Sequence, residues 1–103
     1  MIVKLSDAPV IPLNLEAKIL QKDDNIEIIH LCLKKGEELS KHDNPFDVIF
    51  YVLEGYGELI VKDDKYILEK DNLINVKAGT ERTWTNIGND DLKILVIKNK
   101  IRY

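Results

Sequence analysis

Residues Gly36 to Gly55 read GEELSKHDNPFDVIFYVLEG, and the second half of this stretch decides the fold. From Asp47 to Leu53 nearly every residue is apolar or aromatic, and side chains two apart on a strand share a face. Val48, Phe50 and Val52 therefore form one row, and Ile49, Tyr51 and Leu53 the other. Lys35-Gly36 is a turn signal before the stretch, and Glu54-Gly55-Tyr56 separates this strand from the next, Gly57 to Val61. No helix follows Gly55-Tyr56-Gly57, so it reads as a hairpin element rather than a phosphate-binding loop.

Outward in both directions the same period persists, and no long stretch holds a helical repeat. Leu13, Leu15, Ala17 and Ile19 recur at spacing two, which predicts an early strand, and Asn25 to Lys34 predicts the first long one. After Val61, a turn at Asp63-Asp64 leads into Lys65 to Leu68, and Lys70-Asp71-Asn72 opens Leu73 to Val76. Ala78-Gly79 turns into Thr80 to Thr85, and Gly88-Asn89-Asp90-Asp91 precedes a last strand, Leu92 to Asn99. Short strands with turns roughly every 8 to 12 residues predict an all-β sandwich or barrel.

The 103 residues are expected to form one domain, 1–103, with a radius of gyration of about 13 Å. A hydrophobic share of 45% with 32% charged residues describes an ordinary globular chain. The net charge of −3, with Lys scattered among Asp and Glu, argues against a nucleic-acid partner. Cys32 is the single cysteine and has no intramolecular partner for a disulfide. An acid at Asp7 interrupts the first apolar residues, and no apolar run approaches the ~20 residues needed to span a bilayer. The expectation is a cytoplasmic protein with no membrane association.

Two strands are apolar on both faces: Ile26, Ile28, Ile29, Leu31 and Leu33 in one, and Leu92 to Ile97 in the other. An antiparallel strand with one wet face should alternate, so a near-continuous run implies cover on both sides. Without a spare helix, that cover is expected from a second copy of the chain. The alternative is a well-filled two-sheet core in a monomer.

Gly36, His42, Pro45 and the block Ile49 to Gly55, with Ala78-Gly79 and Asn86, resemble the two sequence motifs of the cupins. The resemblance implies a double-stranded β-helix, or jelly-roll barrel. It also implies a dimer that pairs sheets and exchanges N-terminal strands lying within residues 1–24. Metal-binding cupins carry two His and a Glu in the first motif and a third His in the second. Here those places hold His42, Asn44, Val48 and Arg82, with the spacing intact.

His42 is a good donor to a metal, Asn44 a weak one and Val48 none, while Arg82 is a permanent cation. The site is therefore expected to hold no metal and no cofactor. A displaced set remains open, with His42 joined by His30 and Cys32 if their strand turns that face inward. What is left is a cavity with an apolar wall of Phe50, Val48 and Trp84. His42, Asn44, Arg82 and Asn86 would supply its hydrogen bonds. Arg82 would meet either an internal acid such as Asp47 or Glu81, or the anionic group of a ligand. Trp84 could be simple core, and Asn86 a strand-end amide bound to backbone.

These residues lead to a metal-free binding domain for a small polar or anionic metabolite, with Arg82 defining the site. One alternative is a metal-dependent enzyme, an oxygenase or a sugar isomerase or epimerase. Another is a structural or regulatory homodimer with a filled barrel.

Overall fold

The computed structural model describes residues 1–42 and 44–101, with backbone alone at 41 and 42. Among the described residues nine strands follow a short 3-10 turn at Leu5–Asp7. They are β1 (Glu16–Lys22), β2 (Ile26–Leu33), β3 (Glu38–His42), β4 (Asp47–Glu54), β5 (Tyr56–Val61), β6 (Asp64–Glu69), β7 (Leu73–Val76), β8 (Arg82–Asn86) and β9 (Leu92–Asn99). One sheet has the order β1-β2-β9-β4-β7 and the other β3-β8-β5-β6, with every pairing antiparallel. Apart from the β1–β2 and β5–β6 hairpins, each connection crosses from one sheet to the other. That winding makes an all-β jelly roll, as the strand spacing predicts.

Alternation fixes which face each strand buries. Ile29, Leu31 and Leu33 of β2, Leu92, Ile94 and Val96 of β9, and Val48, Phe50 and Val52 of β4 form the inner face of the larger sheet. Leu59 of β5, Leu68 of β6 and Trp84 of β8 meet them from the smaller one. Each fully buried aliphatic side chain stabilises the fold by roughly 1.5–3 kcal/mol. The radius of gyration, 13.2 Å, matches that of a compact chain of this length.

β9 spans the expected residues, whereas β3 has no signal of its own in the sequence. It is a polar edge strand, ELSKH, paired only with β8, so one apolar residue, Leu39, is all that marks its inner face. The first strand also begins later than Leu13. Pro9 and Pro12 have no backbone N–H, and the segment before β1 folds back on it instead, with Ile11 N–H donating to Ala17 O and Ile19 N–H to Pro9 O. Gly55 turns β4 into β5 at a φ of +89°, and a Cβ there would lie 2.6 Å from Asp91 O. No helix among the described residues is long and apolar enough to cross a membrane.

Candidate functional site

Arg82 opens β8, and its side chain turns inward in the same row as Trp84 and Asn86. It is 6% exposed, its Nη1 donates to Thr80 O at 3.3 Å, and its guanidinium lies 5.7 Å from the centre of the Phe50 ring. Phe50 in turn meets Trp84 edge to face, with ring centres 5.5 Å apart and planes at 77°. Arg82, Phe50 and Trp84 line one cavity of about 180 Å³ between the sheets. Its other walls are Ile29 and Leu31 of β2, Val96 and Lys98 of β9 and Leu39 of β3, and Ile11 and Leu13 close it from the N-terminal segment.

The Trp84 indole is almost wholly buried, and its Nε1–H has no hydrogen-bond partner among the described residues. The Cζ3–Cε3 edge of the ring lies over Gly57, which pairs with Asn86 in the register.

Of the residues singled out in the sequence, Arg82, Trp84 and Phe50 thus converge on one cavity, while Val48, Asn86 and Asn44 are placed otherwise. Val48 is wholly buried in the core and does not line the cavity. Asn86 has its amide committed to the main chain: Nδ2 donates to Leu33 O and Asp90 O, and Oδ1 accepts the Gly88 N–H. Asn44 is not on a strand, because β3 ends at His42 and Pro45 follows. The Asn44 side chain is buried and its Oδ1 accepts the Phe46 N–H at 3.3 Å, a turn of the kind Asn favours. The backbone of His42 stands opposite Arg82 in the register, and its side chain lies outside the described residues.

The displaced metal set is corrected by the pleat of β2. Ile29, Leu31 and Leu33 take the inner face, so His30 and Cys32 point to the outer face, beside Lys18 and Leu95 and beside Glu16 and Lys93. His42 belongs to the other sheet. Burial, reinforced by the Asp91 carboxylate, pushes the Cys32 thiol up to about 11, so it is a weak nucleophile and ligand near neutrality. Burial and the Lys93 cation hold His30 below its ordinary value.

Lys98 was not singled out as a site residue, although it continues the inward row of Ile94 and Val96. Glu27 does the same beyond Ile29. The two meet at 3.1 Å at the end of their rows, and Lys22 and Lys100 approach the same carboxylate at 3.7 Å. Burial alone would raise the Glu27 pKa, but the hydrogen bond and charge of Lys98, with Lys100 and Lys22, outweigh it and hold the carboxyl below its usual range.

A cupin-domain family model matches residues 29–98, which include Arg82, Phe50 and Trp84. The chain belongs to the cupin family. No curated protein sequence matches it. Among solved structures, a predicted oxalate decarboxylase from Thermotoga maritima superposes with a TM-score of 0.87 at 17% identity, covering 98% of this chain and all, 100%, of the other. KdgF from Halomonas sp. gives 0.83 at 15% identity, covering 98% and 94%. The polyketide cyclase RemF from Streptomyces resistomycificus gives 0.83 at 15%, covering 99% and 80%. At such identities these similarities establish the fold.

The residues of this cupin do not fit the metal of its metal-binding relatives. Val48 offers no donor, the Asn44 carbonyl is engaged by a backbone N–H, and Arg82 puts a buried cation at the fourth place. Among the described residues no three His, Cys, Asp or Glu converge on a point that could hold a metal ion.

Proposed function

We propose that this cupin is a cytoplasmic homodimer that binds a small anionic metabolite, without a metal ion, in the cavity lined by Arg82, Phe50 and Trp84. The observation that carries the reading is the Arg82 guanidinium, 6% exposed, on the wall of a cavity whose other described lining is mostly apolar. A guanidinium there favours a negatively charged group, which it can hold through two parallel hydrogen bonds. An open cavity of about 180 Å³ counts against a filled barrel, and it is below the roughly 300–1,000 Å³ of drug-sized pockets, so the ligand is small.

The dimer is supported by the outer face of the larger sheet, where Ile28, Ile97 and Ile49 stand abreast on three adjacent strands. A lone thiol with no disulfide partner suits the reducing cytoplasm. A metal-dependent oxygenase or sugar isomerase is disfavoured by the donor set already described.

The reading is tested by titrating the protein with small carboxylates and phosphates while following its melting temperature. At least one should raise it, and Arg82→Ala should keep the fold and lose the shift. If no anion stabilises the wild-type protein, the reading fails.

A further inference from the structure

Resting on the reading of the cavity as a ligand site, but not on the charge of the ligand, we infer that residues 9–14 are a lid. They form a strap that lifts from the barrel to let the ligand in and out. Apart from Ile11 and Leu13, every described residue lining the cavity stands on β2, β3, β4, β8 or β9. Those strands are laced into the two sheets, and none can swing away without breaking a ladder of backbone hydrogen bonds. Ile11 and Leu13 lie on no strand, so they are the part of the wall that can move.

The segment is attached lightly. Ala8 and Leu15 are buried and pin its two ends, whereas Pro9, Val10, Pro12, Leu13 and Asn14 are exposed and Ile11 is half-buried against the core. Among the described residues two hydrogen bonds join its backbone to the rest of the chain. Ile11 N–H donates to Ala17 O at 2.8 Å, and Ile19 N–H to Pro9 O at 2.9 Å. Pro9 and Pro12 have no N–H with which to lengthen that ladder. Leu13 N–H donates to Ile11 O at 2.8 Å, a bond inside the segment that survives its lifting. Few buried contacts and solvent-facing backbone bonds mark the parts of a fold that open first. Lifting the strap breaks two bonds at the edge of β1 and uncovers Ile11, and it leaves both sheets whole.

Val10 and Lys18 face each other between the two bonds, as an antiparallel pair with no bond of its own. Such a pair brings its Cα atoms to about 4.5 Å, within the span of a disulfide. Neither residue lines the cavity. The experiment locks the strap with Val10→Cys and Lys18→Cys in a Cys32→Ala background, which removes the chain's own thiol. Lys18→Cys gives up the bond from Nζ to Leu5 O, so the comparison is between the oxidised and reduced forms of one variant. The probes are benzoate, inorganic phosphate and benzene, and entry and release rates are read from NMR line shapes at the methyl signals of Ile29 and Val96 on the cavity wall. Oxidation should slow both rates about tenfold or more while the dissociation constant stays within roughly twofold, and reductant should restore them. If that variant does not fold or does not oxidise, Ile11→Ala, which loosens the strap, should speed release of the same probe about threefold or more.

Equal rates in the oxidised and reduced forms, or an unchanged release rate in Ile11→Ala, would overturn the lid. A weaker dissociation constant without a fall in both rates would make the segment a fixed wall and overturn it too. Benzene bound, with no anion raising the melting temperature, would overturn the anion reading, and the lid would be judged by the rates of benzene alone. Binding of none of the three probes would remove the cavity as a ligand site and the lid with it.

Discussion

Gly57 lies directly beneath Trp84: a Cβ on it would fall 2.5 Å from Cζ3 of the indole and 2.8 Å from a methyl carbon of Leu92. The absence of a side chain on β5 is what lets the largest residue of the core settle against the smaller sheet. Gly57→Ala should therefore destabilise the protein by about 1–3 kcal/mol through overpacking. Chemical denaturation measures the loss, and a shifted Trp84 emission should accompany it. Unchanged stability and emission would mean that the ring is not seated on Gly57.

Glu27 gives the fold an acid limit of known sign. Its carboxyl sits below the ordinary value of 4.5 in the folded chain, since the Lys98 hydrogen bond and the cations around it outweigh burial. The unfolded chain therefore takes up this proton more readily. The contribution is present in full above about pH 4.5 and is lost as pH falls through the lower folded value. Glu27→Gln should be less stable than the wild type near neutral pH, with the gap narrowing in acid. A gap that stays constant down to about pH 3 would show that the carboxylate is not the stabilising form.

Protein purified without added metal should hold well under one equivalent of Fe, Mn, Ni, Cu or Zn. Chelators should leave its melting temperature unchanged, because a coordinated site would release folding energy when stripped. Stoichiometric metal that disappears in His42→Ala would refute the metal-free reading.

In the sheet register Ile97 sits between Ile28 and Ile49 on the outer face of the larger sheet, and Leu95 sits between His30 and Tyr51. A second copy covering this face would bury at least ~1,000 Å² in total. Light scattering should give about twice the monomer mass of 11.9 kDa, and Ile97→Lys should return it to the monomer. A monomeric wild type at high concentration would refute the dimer.

Period-two alternation made most of this fold legible before any coordinates. Leu92 to Asn99 could be read as a strand because apolar residues occupy both of its faces, and Gly55 could be read as a turn because only glycine tolerates its backbone. β3 was hidden because an edge strand with one apolar residue has almost no pattern to show. Asn44 was misplaced because a strand period was carried one step too far, past His42 and toward Pro45, where a turn takes over.

For the candidate site, the chain by itself determined the inventory: an arginine, an asparagine and a valine where metal-binding cupins carry metal ligands, with Trp84 and Phe50 in inward rows. Spacing and residue chemistry suffice for that, since both are local. Only the tertiary structure decided which of these residues meet. It drew Arg82, Phe50 and Trp84 together from two sheets, turned His30 and Cys32 outward by the pleat of β2, and brought Glu27 to Lys98 across neighbouring strands. The physical reason is that a face is set by the strand's own alternation, whereas a contact is set by strand order. That order, with β9 between β2 and β4, follows from packing the whole core at once.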